Sequence, residues 1–259
     1  FSALADMGWS SDSIDLDDWM KIYCEARYGG YPDAMEEAWK LFRKTAYSSL
    51  YSYPRFTWQT VVPDQRRISK IDLSDDYLQA IRLYASCADE LKSSELYRND
   101  LIEFVSYYVA AKAENFYKQA LKDDSENRVL AAQRNLQQTV DLLMDVDRLL
   151  ASHPLYRLEE WVELARNSGT TLQEKDAYEA NAKRLITSWG GIQEDYAARF
   201  WSGLIKDYYI PRIQLYFTKD RNEIREWEEQ WITSPWSNST TPFDDPVEAA
   251  LSLIEKTNK

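Results

Sequence analysis

The chain is poor in the residues that carry most self-contained catalytic and metal chemistry. Its 259 residues include two cysteines, Cys24 and Cys87, and a single histidine, His153. Two cysteines permit at most one disulfide and exclude a cysteine-rich zinc module, and one histidine excludes a metal site built on a histidine pair. A P-loop, a Gly-x-Gly-x-x-Gly turn and a Gly-x-Ser-x-Gly elbow are also missing. The sequence therefore predicts no metal site and no cofactor.

Positive charge and long apolar runs are scarce as well. Lys and Arg number 31 against 43 Asp and Glu, which gives a net charge of −12 and argues against nucleic acid as a partner. No stretch approaches 18 consecutive apolar residues, so we expect no membrane span. The first residues lack the basic and apolar regions of an export signal. Because the chain starts at Phe1 rather than at Met, the sequence alone leaves its compartment open.

Glycine and proline are sparse, and the stretches between them have the period of an amphipathic helix. Seven Gly and eight Pro are about half of the average usage. One example of the pattern is Leu16, Trp19, Met20, Tyr23 and Cys24, which share one helix face. We predict an all-α chain, a multi-helix bundle with long antiparallel helices, that forms a single domain over residues 1–259.

One long segment departs from this period. Residues 48–72 contain Pro54 and Pro63 together with several aromatic and basic residues, and no helical pattern runs through them. A loop of this length is usually either functional or disordered. Its aromatic content favours an ordered, packed loop.

The most unusual feature of the composition is its 10 Trp and 18 Tyr. Aromatic rings can pack on the C–H faces of sugars, although any single ring is more often part of the core. Trp189 is the best exception, because the pattern places it in the last turn of a helix that a Thr171/Glu174 capping box begins. Asn181 lies on the same stripe, and Tyr196 follows beyond Gly190-Gly191.

The run YEANAKRLITSWGG at 178–191, followed by EDYAARFWSGLIKDYYIPRIQLYF at 194–217, resembles the C-terminal helical domain of the alpha-N-acetylglucosaminidases, glycoside hydrolase family 89. The SWG, DYA and YYxPR elements and their order carry this resemblance. LDDWMKIYCEARYG at 16–29 is also similar to the family, so the likeness covers nearly the whole chain. A shorter turn between Trp189 and Tyr196 departs from the family pattern.

The resemblance implies a retaining exo-hydrolase that removes terminal α-linked N-acetylglucosamine. Its two catalytic glutamates would lie on a (β/α)₈ barrel, which alone takes about 250 residues and is absent from this chain. We therefore expect no catalytic residue here. The implied partners are that barrel, in the same polypeptide, and the glycan, and the implied location is periplasmic or secreted in bacteria and lysosomal otherwise.

Carried over to this sequence, the family's sugar pocket would be lined by Trp189 and Tyr196, and also by Asn181 and Arg184. Arg212 matches a family arginine, and a structural ion pair explains it equally well. The alternative function is a stand-alone helical module that binds a protein or a glycan without catalysis. A native gene product of this length would favour that alternative.

Overall fold

The computed structural model describes residues 2–10, 12–47, 56–60, 75–189, 195, 197–237 and 239–257. Within these ranges the chain is helical and forms no strand, which confirms the all-α prediction. The α-helices are α1 (Ser2–Trp9), α2 (Leu16–Tyr28), α3 (Asp33–Lys44), α4 (Asp75–Ser86), α5 (Ala88–Leu91), α6 (Glu95–Ser125), α7 (Val129–Leu150), α8 (Leu158–Asn167), α9 (Leu172–Leu185), α10 (Ile210–Tyr216), α11 (Arg221–Thr233) and α12 (Pro246–Lys256).

The chain divides into two compact units. The first comprises Phe1–Leu50 and Asp72–Phe104, and the second comprises Tyr51–Ile71 and Val105–Lys259. Helix α6 contributes residues to each unit, because the division falls between Phe104 and Val105. That these units form one domain stays a prediction.

The first unit is built on an aromatic core. Asp15 begins α2 by accepting hydrogen bonds from the N–H groups of Asp17 and Asp18, and Gly29 ends it in the left-handed conformation. Tyr84 and Tyr97 stack with their ring centroids 4.9 Å apart. Other buried rings of this unit belong to Tyr28, Trp39, Phe42, Tyr77 and Phe104. Many aromatic residues of the sequence are therefore core residues.

One carboxylate ties α2 to α6 within the first unit. Asp100 accepts two hydrogen bonds from the guanidinium of Arg27, at 2.8 and 2.6 Å, and a third from the hydroxyl of Tyr28 at 2.6 Å. Two parallel bonds from one guanidinium fix its orientation as well as its position. The ARYG end of α2, part of the family resemblance, thus has a structural role.

In the second unit α6 and α7 form an antiparallel pair. Asn135 on α7 donates to Asp123 on α6, and Thr139 lies beside the carbonyl of Ala113. The later residue of α7 thus contacts the earlier residue of α6, so the two helices run in opposite directions. This confirms the long antiparallel helices that the sequence predicts.

The apolar pattern of residues 194–217 predicts a helix that Pro211 kinks or divides, and the structure departs from this in the described residues before Pro211. Residues 197–203 are irregular, a π-helical turn covers Ile205–Tyr209, and Pro211 lies in the first turn of α10. Proline lacks an N–H group, and its ring clashes with the carbonyl four residues earlier. The backbone widens there, and Ile210 bonds to the carbonyl of Ile205 instead.

Asp147 on α7 holds the start of this segment. Its carboxylate, which is 0% exposed, accepts hydrogen bonds from the N–H groups of Gly203 (2.8 Å) and Lys206 (3.0 Å). The hydroxyls of Ser202 and Thr240 donate to it as well. Four donors compensate for the burial of this carboxylate, which therefore joins three separate stretches of chain.

The predicted aromatic-rich loop at 48–72 lies largely outside the described residues. Of this loop the structure describes 56–60, where Phe56 and Trp58 are buried and stacked, with ring centroids 4.8 Å apart. The N–H of Thr57 donates to Glu114 on α6. This short piece is packed as expected, and an ordered loop elsewhere in 48–72 stays a prediction.

No helix in the described part of the chain combines the length and the apolar character needed to cross a membrane.

Replacing Asp147 should destabilise the protein far more than replacing the neighbouring Asp145. The variant Asp147→Ala leaves the N–H groups of Gly203 and Lys206 without their acceptor, and we expect a loss of about 3 kcal/mol in the free energy of unfolding. Asp145 makes a surface ion pair with Lys256, so Asp145→Ala should cost less than about 1 kcal/mol. Urea unfolding of both variants measures the difference, and equal losses would contradict this account of Asp147.

Candidate functional site

Helix α9 carries the residues to which the sequence points. Thr171 accepts a hydrogen bond from the N–H of Glu174, whose carboxylate in turn accepts from the N–H of Thr171. This capping box begins the helix as predicted. Tyr178 and Asn181 are exposed along one face, and Arg184 follows at the next position of the same i, i+3 series. We call Tyr178, Asn181, Arg184 and Trp189 the α9 stripe.

Trp189 lies beyond the end of α9, and not in its last turn as the sequence pattern predicts. The helix ends at Leu185, and a turn over 186–188 leads to Trp189. Its N–H donates to the carbonyl of Arg184 at 2.8 Å, and its φ of 51° is in the left-handed region. That region is uncommon for a bulky residue, and such strained positions cluster at functional sites. The side chain is 37% exposed.

The chain returns to a described position at Asp195. This residue also has a left-handed backbone, with φ 59°, and its N–H donates to the carbonyl of Thr187 at 2.8 Å. Its side chain is buried. Tyr196, which the resemblance places in the pocket wall, lies outside the described residues, as does the Gly190-Gly191 pair.

The carboxylate of Asp195 is held by Arg212. Nη1 of this guanidinium lies 2.8 Å from Asp195 and 3.0 Å from Glu228, and Nη2 donates to the carbonyl of Gln59 at 2.7 Å. The guanidinium carbon lies 4.6 Å from the ring centroid of Tyr208. We call Arg212, Asp195, Glu228, Tyr208 and Gln59 the Arg212 cluster.

The Arg212 cluster combines one guanidinium with two carboxylates in the interior. Arg212 is 2% exposed, and its two carboxylate partners are buried with it. Burial lowers the pKa of Arg212, but Asp195, Tyr208 and Glu228 together raise it by more than burial lowers it. The pKa therefore lies above its ordinary value. The guanidinium therefore remains charged, as the structural interpretation of Arg212 requires.

The opposite face of α9 is also held by buried charges. Lys183, 1% exposed, pairs with Glu179 at 3.1 Å and donates to the carbonyls of Trp231 and Ser234. Glu179 also accepts from Arg166 on α8 at 2.6 Å. Burial lowers the pKa of Lys183, and Glu179 opposes that shift. These contacts fix the rotation of α9, so the α9 stripe must point outward.

The structure brings together three of the four residues that the sequence proposed. Asn181 and Arg184 share one face of α9, and Trp189 is bonded through its backbone to Arg184. Arg184 also pairs with Glu229 on α11. Asn181 and Trp189 are exposed, and Arg184 is partly exposed. The sequence did not indicate the role of Asp195, because nothing in its local pattern shows that this carboxylate is buried.

Comparisons with known proteins agree with this architecture. The family model for the alpha-N-acetylglucosaminidase (NAGLU) C-terminal domain matches residues 19–256. The human protein named alpha-N-acetylglucosaminidase is 29% identical over 289 aligned positions, which cover 99% of this chain and 38% of the human protein. The chain thus spans little more than a third of that relative.

Solved structures show the same fold. A family 89 glycoside hydrolase from Clostridium perfringens, in complex with PUGNAc, has a TM-score of 0.83 and 24% identity, covering 96% of this chain and 32% of that one. The same enzyme in complex with its substrate GlcNAc-α-1,4-galactose has a TM-score of 0.82, 23% identity and the same coverage of both chains.

Two adjacent glutamates on α11 give a direct test of the Arg212 cluster. Glu228→Ala removes one buried partner of Arg212 and the acceptor for the hydroxyl of Tyr208, so we expect a loss of about 3–5 kcal/mol in stability. Glu229→Ala removes only the half-exposed pair with Arg184, and its cost should stay below about 1 kcal/mol. Chemical denaturation measures both; a small effect at position 228 would rule out the cluster as a structural anchor.

Proposed function

The chain belongs to the family of alpha-N-acetylglucosaminidase C-terminal domains, and on that premise we propose that it is the helical domain of a longer, retaining exo-hydrolase. That enzyme would remove terminal α-linked N-acetylglucosamine. The observation that carries the proposal is the family match across residues 19–256. The likeness to the human protein over 99% of this chain supports it.

The catalytic carboxylates would be supplied by the remaining part of the polypeptide. A retaining glycosidase uses two carboxyl groups about 5–5.5 Å apart, one as nucleophile and one as acid and base. Both would stand on the (β/α)₈ barrel against which this domain packs. The domain itself would complete the wall of the sugar pocket, position the terminal sugar and exclude water from the reacting bond.

The α9 stripe is the part of the chain best suited to that wall. An indole can cover the C–H face of a pyranose ring, while an amide and a guanidinium can bond hydroxyl groups and the acetamido carbonyl. Asn181 and Arg184 supply the amide and the guanidinium on one face of α9, and Trp189, beyond the end of that helix, supplies the indole. The left-handed backbone of Trp189 supports a functional role, because it places a strained aromatic residue at an exposed position.

The Arg212 cluster would hold this wall in place. Asp195 is anchored twice, by its N–H to Thr187 and by its carboxylate to Arg212. Tyr196 follows Asp195 directly in the sequence, so the anchor lies next to the second aromatic residue that the family resemblance assigns to the pocket. Arg212 would therefore act as a positioning residue whose guanidinium never touches the sugar.

In the native full-length polypeptide, Trp189→Ala should raise KM for an aryl α-N-acetylglucosaminide by about tenfold or more, because stacking on the sugar is lost. The melting temperature should change little, since the side chain is 37% exposed. The matched control is Tyr216→Ala, whose aromatic side chain is 38% exposed on α10. A lower melting temperature with unchanged KM and kcat would show that Trp189 is merely structural.

The mass of the native gene product separates this function from the stand-alone module. A domain of a longer hydrolase predicts a product at least twice the 30.4 kDa of this chain, which leaves room for a barrel. Intact-mass spectrometry of the protein isolated from its source makes the measurement. A product near 30.4 kDa would instead favour a binding module without catalysis.

A further inference from the structure

The second unit contains an open cleft that the proposed function does not use. Its volume is about 550 Å³, and it lies between α8 and the residues Trp236, Ser237 and Ser239. Val162 and Trp236 are the apolar and aromatic residues of its lining. Small-molecule sites in proteins usually have volumes of about 300–1,000 Å³, so the cleft is large enough for one or two sugar rings.

The indole of Trp236 is held rigidly at this cleft. Its Nε1–H donates to Asp207 at 3.0 Å, and its backbone N–H donates to Glu179 at 2.5 Å. Its Cζ2 lies 3.1 Å from where a β-carbon of Gly203 would stand, so the glycine allows the ring to approach closely. The ring is therefore positioned before any ligand arrives, and a ligand would not have to order it.

Helix α8 forms the polar wall of the cleft. Glu159, Glu163, Arg166 and Asn167 project from one side of it, at positions i, i+4, i+7 and i+8. Arg166 uses Nη1 for its ion pairs with Asp176 (2.8 Å) and Glu179 (2.6 Å). These pairs fix the guanidinium and leave its Nε and Nη2 hydrogens to point elsewhere.

Several other polar groups of the cleft have unused hydrogen-bonding capacity. Within the described residues, the side chains of Glu163, Asn167 and Lys175 make no hydrogen bond or ion pair. The lining thus offers a carboxylate acceptor, an amide that both donates and accepts, and an ammonium donor beside a fixed aromatic ring.

From this arrangement we propose that the cleft between α8 and Trp236 binds a neutral carbohydrate. Because charges of both signs line the cleft, Glu163 would repel an anion, and Arg166 and Lys175 would repel a cation. Hydroxyl groups can form hydrogen bonds with all three side chains. In this proposal Trp236 would supply the apolar platform that a pyranose face requires.

This carbohydrate site does not depend on the proposed function. The lining of the cleft includes Lys175 at the start of α9 but none of the four residues of the α9 stripe. A sugar bound in the cleft would be recognised by this chain alone.

The test is a titration of the 259-residue chain with methyl α-galactopyranoside and, separately, methyl 2-acetamido-2-deoxy-α-glucopyranoside, followed by heteronuclear NMR. We expect saturable shifts of the Trp236 indole N–H and the Asn167 side-chain amide, with a Kd of about 1 mM for at least one probe. The surface variants Glu163→Ala and Asn167→Ala should each weaken binding by about three- to tenfold, because each loses one hydrogen bond.

Two controls make the result specific. Leu164→Ala changes an exposed residue of α8 outside the cleft lining, and Trp189→Ala changes the α9 stripe; both should leave the shifts of the Trp236 indole N–H and the Asn167 amide unchanged. The proposal is overturned if neither probe gives saturable shifts up to about 50 mM. It is also overturned if binding survives both cleft variants intact, or if Trp189→Ala abolishes it.

Discussion

Arg212 places a guanidinium in the protein interior between the carboxylates of Asp195 and Glu228, with the carbonyl of Gln59 as a further acceptor. A buried charge of this kind is tolerated only when its partners are buried with it and are correctly oriented. The positions of residues 57–59, Asp195 and α11 are therefore coupled through one side chain. Asp195 is bonded in turn to Thr187, two residues before Trp189. The proposed role of Trp189 at a sugar pocket depends on this anchor.

Buried charges also fix the orientation of helix α9. Its inner face is fixed by Lys183 and Glu179, two charged residues that α8, α11 and residues 234–236 surround with partners. Rotating the helix would separate Lys183 from the carbonyls of Trp231 and Ser234, and Glu179 from Arg166, which would cost far more than one exposed aromatic contact. The outer face, with Tyr178, Asn181 and Arg184, is exposed as a consequence. The proposed sugar-facing surface is thus determined by what α9 buries.

The helices and most of their ends follow from local chemistry, which explains why the sequence predicted them. Asp15, Thr171 with Glu174, and Asp245 are side-chain caps whose pattern is visible in the sequence, and each one begins a helix in the structure. The order of the SWG, DYA and YYxPR elements identified the family because these elements are jointly specific. The same resemblance assigned Trp189 and Arg184 to the sugar pocket, which stays a prediction.

What the sequence could not predict depends on contacts between distant residues. Glu179 and Lys183 are four residues apart and have the spacing of an ordinary surface pair, yet both are buried. The apolar pattern predicted a helix that Pro211 kinks or divides, whereas the structure has an irregular stretch at 197–203 and a π-helical turn before Pro211. Helix α9 ends at Leu185, and the N–H of Trp189 bonds back to the carbonyl of Arg184 with a left-handed backbone at Trp189, so the prediction that Trp189 lies inside the helix was wrong.

The proposed function requires that the rest of a longer polypeptide covers the α9 stripe. Hydroxyl-radical footprinting tests it most directly, by comparing oxidation of Trp189 and Tyr178 in the isolated 259-residue chain with that in the native gene product. Our account predicts that both side chains, exposed in this chain, are strongly protected in the native protein. Equal oxidation of Trp189 in the two samples would contradict it.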